Sequence, residues 1–213
     1  MSDASVLSEL VGETVLVNDR VHVQRFVLRP GQSVGTYANP NGELLIYIHG
    51  GTLADARGRV TIWRDGRVCW FDGSDSLREA GTNVGANNIE MVVISFQPVA
   101  VGVVRPCPPV APLSYPNIAG EDLLENEVVI VQRFTIDPGQ WEGVHAHQPN
   151  MLFIHIRGGH WAARTAGGPA QPYPQPSADG EVGWMDPVDI SVGHESGNIG
   201  SNPIDFIWVS LRQ

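Results

Sequence analysis

The sequence predicts an all-β chain of two tandem small barrels, on three observations: a turn-rich composition, short alternating apolar segments and one long internal repeat. The chain has 213 residues, of which 24 are Gly and 16 are Pro, and only 17% are charged. That composition favours many turns and short strands over long helices. The repeat is direct. VQRFVLRPGQ at 23–32 returns as VQRFTIDPGQ at 131–140, an offset of 108 that also carries Gly31 onto Gly139, Leu44 onto Leu152 and Gly50 onto Gly158. Farther on, RVCWFD at 67–72 matches EVGWMD at 181–186, and NVGANNIEMVVISF at 83–96 matches NIGSNPIDFIWVSL at 198–211. Segments such as VVIVQRFTI, MLFIHI and DFIWVSL alternate or run apolar over strand lengths, and no stretch keeps helical periodicity. The expected domains are 1–112 and 113–213. Their boundary falls in the segment 103–117, whose five prolines suit a stiff connection or an exchanged arm.

Charge and residue usage exclude several functions. A net charge of −10 repels phosphate backbones and anionic membrane surfaces, so neither nucleic acid nor membrane is an expected partner. The opening MSDASVLSELVGE is acidic where a signal peptide needs a basic start and an apolar run, which leads us to expect a cytoplasmic protein. Cys69 and Cys107 fit neither a disulfide framework nor a zinc-thiolate spacing and are read as free thiols. The sequence contains no lysine, which excludes Schiff-base chemistry and a phosphate-cradling GK[ST] loop.

The chemistry concentrates in the second copy. His145 and His147 stand at i and i+2, so on a strand both imidazoles face one point. Imidazole is the commonest protein ligand for zinc and first-row transition metals, and His194, in GHESGN, is the candidate third ligand from another strand. Taken alone, the pair would better suit polar residues on an exposed loop. The spacing of the surrounding glycines and the arrival of His194 shift the reading to a metal site.

Residues 139–158 resemble the first cupin motif, G-x5-H-x-H-x3-E-x6-G, with Met151 where the glutamate is expected. Gly183, His194 and Asn198 fit the second motif, with Asp189 and Ser191 replacing its Pro and Gly. The duplication makes the chain similar to a bicupin. That resemblance implies two double-stranded β-helix, or jelly-roll, barrels, the C-terminal one holding one divalent transition metal: iron first, then zinc, nickel, manganese or copper. In the first copy the matching positions are Tyr37, Asn39, Glu43 and Glu79, a degenerate set expected to hold no transition metal.

Met151 is a weak or outer ligand candidate, although a thioether more often fills core space. His155 shares strand parity with Met151 and is the candidate catalytic acid, base or substrate contact. His160 is expected to be exposed. Tyr173 lies in a connection longer than its first-copy counterpart, read as a surface loop or a cover for the barrel mouth. Trp70 and Trp184 match and are assigned to packing. Three neutral imidazoles leave a cation its full charge and favour a small chelating substrate such as a diketone, an enol or a hydroxylated aromatic acid. By resemblance to three-histidine cupins, a dioxygenase cleaving a carbon–carbon bond is the first expectation. A redox-silent metal hydrolase, lyase or isomerase is the second, and a non-enzymatic small-ligand binder the third. The chain is expected to work as a monomer or homodimer.

Overall fold

A computed structural model describes residues 10–34, 42–72, 81–97 and 110–212. Tyr37, Asn39, Glu79 and Cys107 lie outside the described residues. The chain forms two compact units, 1–101 and 102–213. Among the described residues there is no α-helix, and every strand pairing is antiparallel.

In the N-terminal unit, β1 (Glu13–Val17), β2 (Val21–Leu28), β4 (Glu43–His49), β7 (Val68–Phe71) and β9 (Ile89–Phe96) form a sheet in the order β1-β2-β9-β4-β7. The strands β3 (Ser33–Val34), β5 (Gly51–Ala54), β6 (Val60–Trp63) and β8 (Gly81–Asn83) form a second sheet in the order β3-β8-β5-β6. β4 is buried at every residue but its last, and β9 at five of its eight, as the inner strands of a covered sheet. Leu28, Leu45, Tyr47, Ile89 and Met91 of the larger sheet share one apolar cluster with Leu53 of the smaller.

The C-terminal unit repeats this plan. β10 (Gly120–Glu125), β11 (Val129–Ile136), β12 (Met151–Arg157), β15 (Val182–Met185) and β17 (Ile204–Leu211) lie in the order β10-β11-β17-β12-β15. The smaller sheet is built from β13 (Trp161–Thr165), β14 (Gln171–Pro172) and β16 (His194–Asn198), in the order β14-β13-β16. The registers coincide as well: Val21 pairs Phe96 and Val129 pairs Leu211, while Glu43 pairs Ser95 and Met151 pairs Ser210. Even the ladder irregularities recur, at Tyr47/His49 and at His155/Arg157. Of the proline-rich segment, residues 110–117 carry no strand, yet Leu113 and Tyr115 are buried in the C-terminal core with Phe134, Phe206 and Trp208.

One repeated glycine explains why the frame tolerates no side chain at a key corner. A Cβ on Gly50 would sit 2.0 Å from the Trp63 carbonyl oxygen, and one on Gly158 would sit 2.1 Å from that of Ser177. Both corners therefore bring two backbones into contact that only glycine allows.

Candidate metal centre

The histidine pair does not lie on a strand, contrary to the sequence expectation. It sits between β11 and β12 on a segment held by isolated backbone bonds. The His145 N–H donates to the His194 carbonyl at 3.1 Å, and His147 exchanges two 3.0 Å bonds with Val188. The alternation survives because these bonds keep the segment extended. On the other side, Asp189 caps a single 3₁₀ turn, Ile190–Val192, and Gly193 closes it in the left-handed region at φ 68°. The turn delivers His194 to the first position of β16.

The three imidazoles converge. One ligand nitrogen from each of His145, His147 and His194 lies within 4.8 Å of the others. The Nε2 atoms of His145 and His147 are 3.0 Å apart. Two ligands at right angles around one ion, each about 2.1 Å away, would be about 3.0 Å apart, so this spacing suits a shared cation. His145 Nδ1 donates to the Gly143 carbonyl at 2.8 Å, which leaves the Nε2 lone pair facing its neighbours. Burial pushes all three imidazoles below their ordinary range, and the His145 and His194 rings help to bring His147 down to about 3. Neutral imidazole is the form that binds metals, so these residues fit a transition-metal ion.

A cavity of about 310 Å³ opens beside the cluster, with His147 and His194 in its wall. Phe153, Trp161, Phe206 and Trp208 supply a flat apolar lining. His155 also lines it and is 5% exposed, with Nδ1 buried and unpartnered. Burial holds this imidazole down at about 4, against the opposing influence of Glu181 and Asp179. Tyr173, Gln175, Pro176 and Ser177 of the extended connection contribute to the wall, so that loop covers part of the cavity. Met151 is fully buried in the apolar cluster with Tyr115 and Phe134 and does not line the cavity. His160 is exposed.

Glu142 is the site residue that the sequence reading passed over. It is 3% exposed, lines the same cavity, and its Oε2 lies 3.7 Å from His145 Nε2. Burial raises its carboxyl to about 8, with Glu195 adding to the rise and a backbone hydrogen bond from Ser196 opposing it. A signal was present: at the matching position the first copy has Val34, so a carboxylate had replaced an apolar residue in the copy that carries the histidines.

In the N-terminal unit, Glu43 is fully buried and accepts a hydrogen bond from Ser95 Oγ at 2.8 Å. Cys69 is partly buried against the apolar cluster there.

Comparison with solved structures places this architecture. A cupin 2 conserved barrel domain protein from Leptotrichia buccalis aligns over 96% of this chain and 89% of its own, with a TM-score of 0.54 and 10% identity. The fold is that of the cupin barrels. A putative glyoxylate induced protein from Pseudomonas aeruginosa shares this cupin fold over 95% of the present chain and 79% of its own, with a TM-score of 0.59 and 11% identity. A mutant form of the oxalate decarboxylase of Bacillus subtilis matches the cupin frame over 97% of this chain and 76% of its own, with a TM-score of 0.54 and 14% identity. No family model and no curated protein matches the sequence.

Proposed function

We propose that the chain is a bicupin enzyme whose C-terminal unit holds one divalent transition metal through His145, His147 and His194 and acts on a small chelating molecule. The observation that carries this reading is the meeting of three imidazoles, two buried and one partly buried, beside an aromatic cavity that His147 and His194 line. When bound, the metal supplies Lewis acidity and, if it is iron, the redox chemistry of a dioxygenase that cleaves a carbon–carbon bond. The protein's own residues do the rest. Phe153, Trp161, Phe206 and Trp208 accept a flat ring or enol and exclude water from it. His155 Nδ1, neutral near pH 7, offers a hydrogen bond to a substrate oxygen away from the metal.

The cavity also constrains charge. Glu142 and Glu181 are in its wall, and none of the residues lining it is an arginine. The substrate's anionic character is therefore confined to its chelating end, as in a diketone, an enol or a hydroxylated aromatic acid. Oxalate, the substrate named for one fold neighbour, is a poor fit to two carboxyl groups and five aromatic rings. The Mn(II) centres named for that same neighbour favour a second reading, a non-oxidative hydrolase, lyase or isomerase. A monomer or homodimer working on a small molecule in the cytoplasm completes the proposal.

Elemental analysis of the purified full chain, followed by oxygen-electrode assays with catechols and β-diketones, tests it. Iron with substrate-dependent oxygen uptake supports the dioxygenase. Zinc, nickel or manganese with turnover and no oxygen uptake selects the second reading. Absence of metal, with ligand binding unchanged by His145→Ala, would make the chain a binding protein.

A further inference from the structure

The geometry points to Glu142 as a fourth metal ligand, a carboxylate that reaches the three-histidine centre from the segment before His145 and replaces the glutamate absent at 151. This inference rests on the three-histidine reading and deepens it. Its first support is placement: Glu142 Oε2 is 3.7 Å from His145 Nε2, the nitrogen that faces the other imidazoles. Adjacent ligands of one ion are separated by about 3.0–3.4 Å; Glu142 stands next to His145 but outside the group whose ligand atoms all lie within 4.8 Å of one another, so a rotation of its side chain toward His147 and His194 completes the set.

Burial is the second support. A carboxylate that is 3% exposed needs a cation or several donors to hold its charge. Among the described residues no arginine pairs with Glu142, and Arg164, on β13, is committed to Glu195 at 2.7 Å. A divalent ion within reach of His145 is the partner that the wall of this cavity offers.

The two copies supply the third support, because the carboxylate and the imidazoles have moved together. The copy that has Glu43 at the family position carries Val34 at the position matching Glu142, and lacks the histidines. The copy with three histidines carries Met151 and Glu142. Glu43 is satisfied by Ser95, whereas Met151, paired in register with Ser210, is sealed in the apolar core, so position 151 has no path back to ligation. A donor set of three imidazoles and one carboxylate neutralises part of the ion's charge and favours Mn(II), Fe(II) or Co(II) over Cu(I).

The test is titration of the metal-free full chain with Mn(II) and Co(II), read by calorimetry and by the Co(II) absorption spectrum. Glu142→Gln should weaken binding by about tenfold to a hundredfold or more and shift the Co(II) bands. The same substitution should leave the metal-free protein at least as thermostable as the wild type, since it replaces a buried ionisable carboxyl with a neutral amide of the same shape, while shrinking the rise in Tm on adding metal. A purely structural role would lower the metal-free Tm instead. Glu142→Asp, which keeps the charge and withdraws it by one methylene, carries the same titration should the glutamine variant not fold. Wild-type affinity and an unaltered Co(II) spectrum in Glu142→Gln would overturn the assignment while leaving the histidine centre intact. Failure of the wild-type chain to bind either ion would overturn both.

Discussion

Val34 in the N-terminal unit and Glu142 in the C-terminal unit occupy the same position of one frame, as do Tyr47 and His155, Gly81 and Ser196, and Met91 and Phe206. All eight line cavities, one in each unit. The two cavities are thus the same place built twice. One is walled by apolar side chains with Asp55, Arg59 and Cys69 among them, the other by imidazoles, a carboxylate and aromatic rings. The strand ladders, corner glycines and central apolar runs differ little between the units. Folding information and chemical information are therefore held at separate positions, and a handful of inward residues can change without disturbing the pairing that supports them.

The sharpest way to break this comparison is to remove the imidazoles. His145→Ala, His147→Ala and His194→Ala should each weaken metal binding by more than about a hundredfold, taking metal content from one equivalent per chain toward none. An equivalent that persists in the triple variant would mean that the N-terminal unit also ligates. Next in size is the corner glycine. Gly50→Ala and Gly158→Ala force a methyl to within 2.0 and 2.1 Å of a carbonyl oxygen, and each should cost about 3–5 kcal/mol in urea denaturation. Unequal losses would show that one unit relaxes where the other does not.

Acid should separate the units too. The His155 imidazole is held at about 4 in the fold against an ordinary value of 6.5, so the unfolded chain takes up the proton first. Its contribution, about 3 kcal/mol, is intact above about pH 6.5 and is lost as the pH falls toward about 4. Tyr47 holds the matching place in the N-terminal unit and has no such proton to gain. In thermal melts across that range, His155→Gln should flatten the acid-side decline, and an unchanged slope would deny His155 its share. The smallest expected effect is on the repeated cross-strand ion pairs, Arg25 with Glu90 and Arg133 with Asp205. Both are partly exposed, and Glu90→Gln or Asp205→Asn should cost about 0.5–1 kcal/mol, in equal measure, by the same denaturation.

The fold was legible because its determinants are periodic. Strand alternation, glycines at fixed offsets and a repeat offset of 108 all lie on the surface of the sequence. His145, His147 and His194 were legible through spacing. Their local backbone was not, since i and i+2 spacing reads as a strand whether the segment is laddered or, as here, pinned by a few isolated bonds. Glu142 escaped because a single carboxylate among five intervening residues carries no period, and only its burial marks it. Tyr173 was legible only as two alternatives, a surface loop or a cover for the barrel mouth, because an irregular loop has no register from which to tell which side chains turn inward.

Gly143 ties the metal centre to a distant stretch of chain. Its φ of 84° aims its carbonyl at His145 Nδ1, and a Cβ there would meet Pro116 and Asn117 at 2.9 and 3.0 Å. The proline-rich arm thus packs against the backbone that presents this carbonyl to the imidazole. A change at Pro116 that let this backbone rotate would take the carbonyl away from Nδ1 and free the ring to carry its proton on Nε2, the nitrogen that the proposed ion would need.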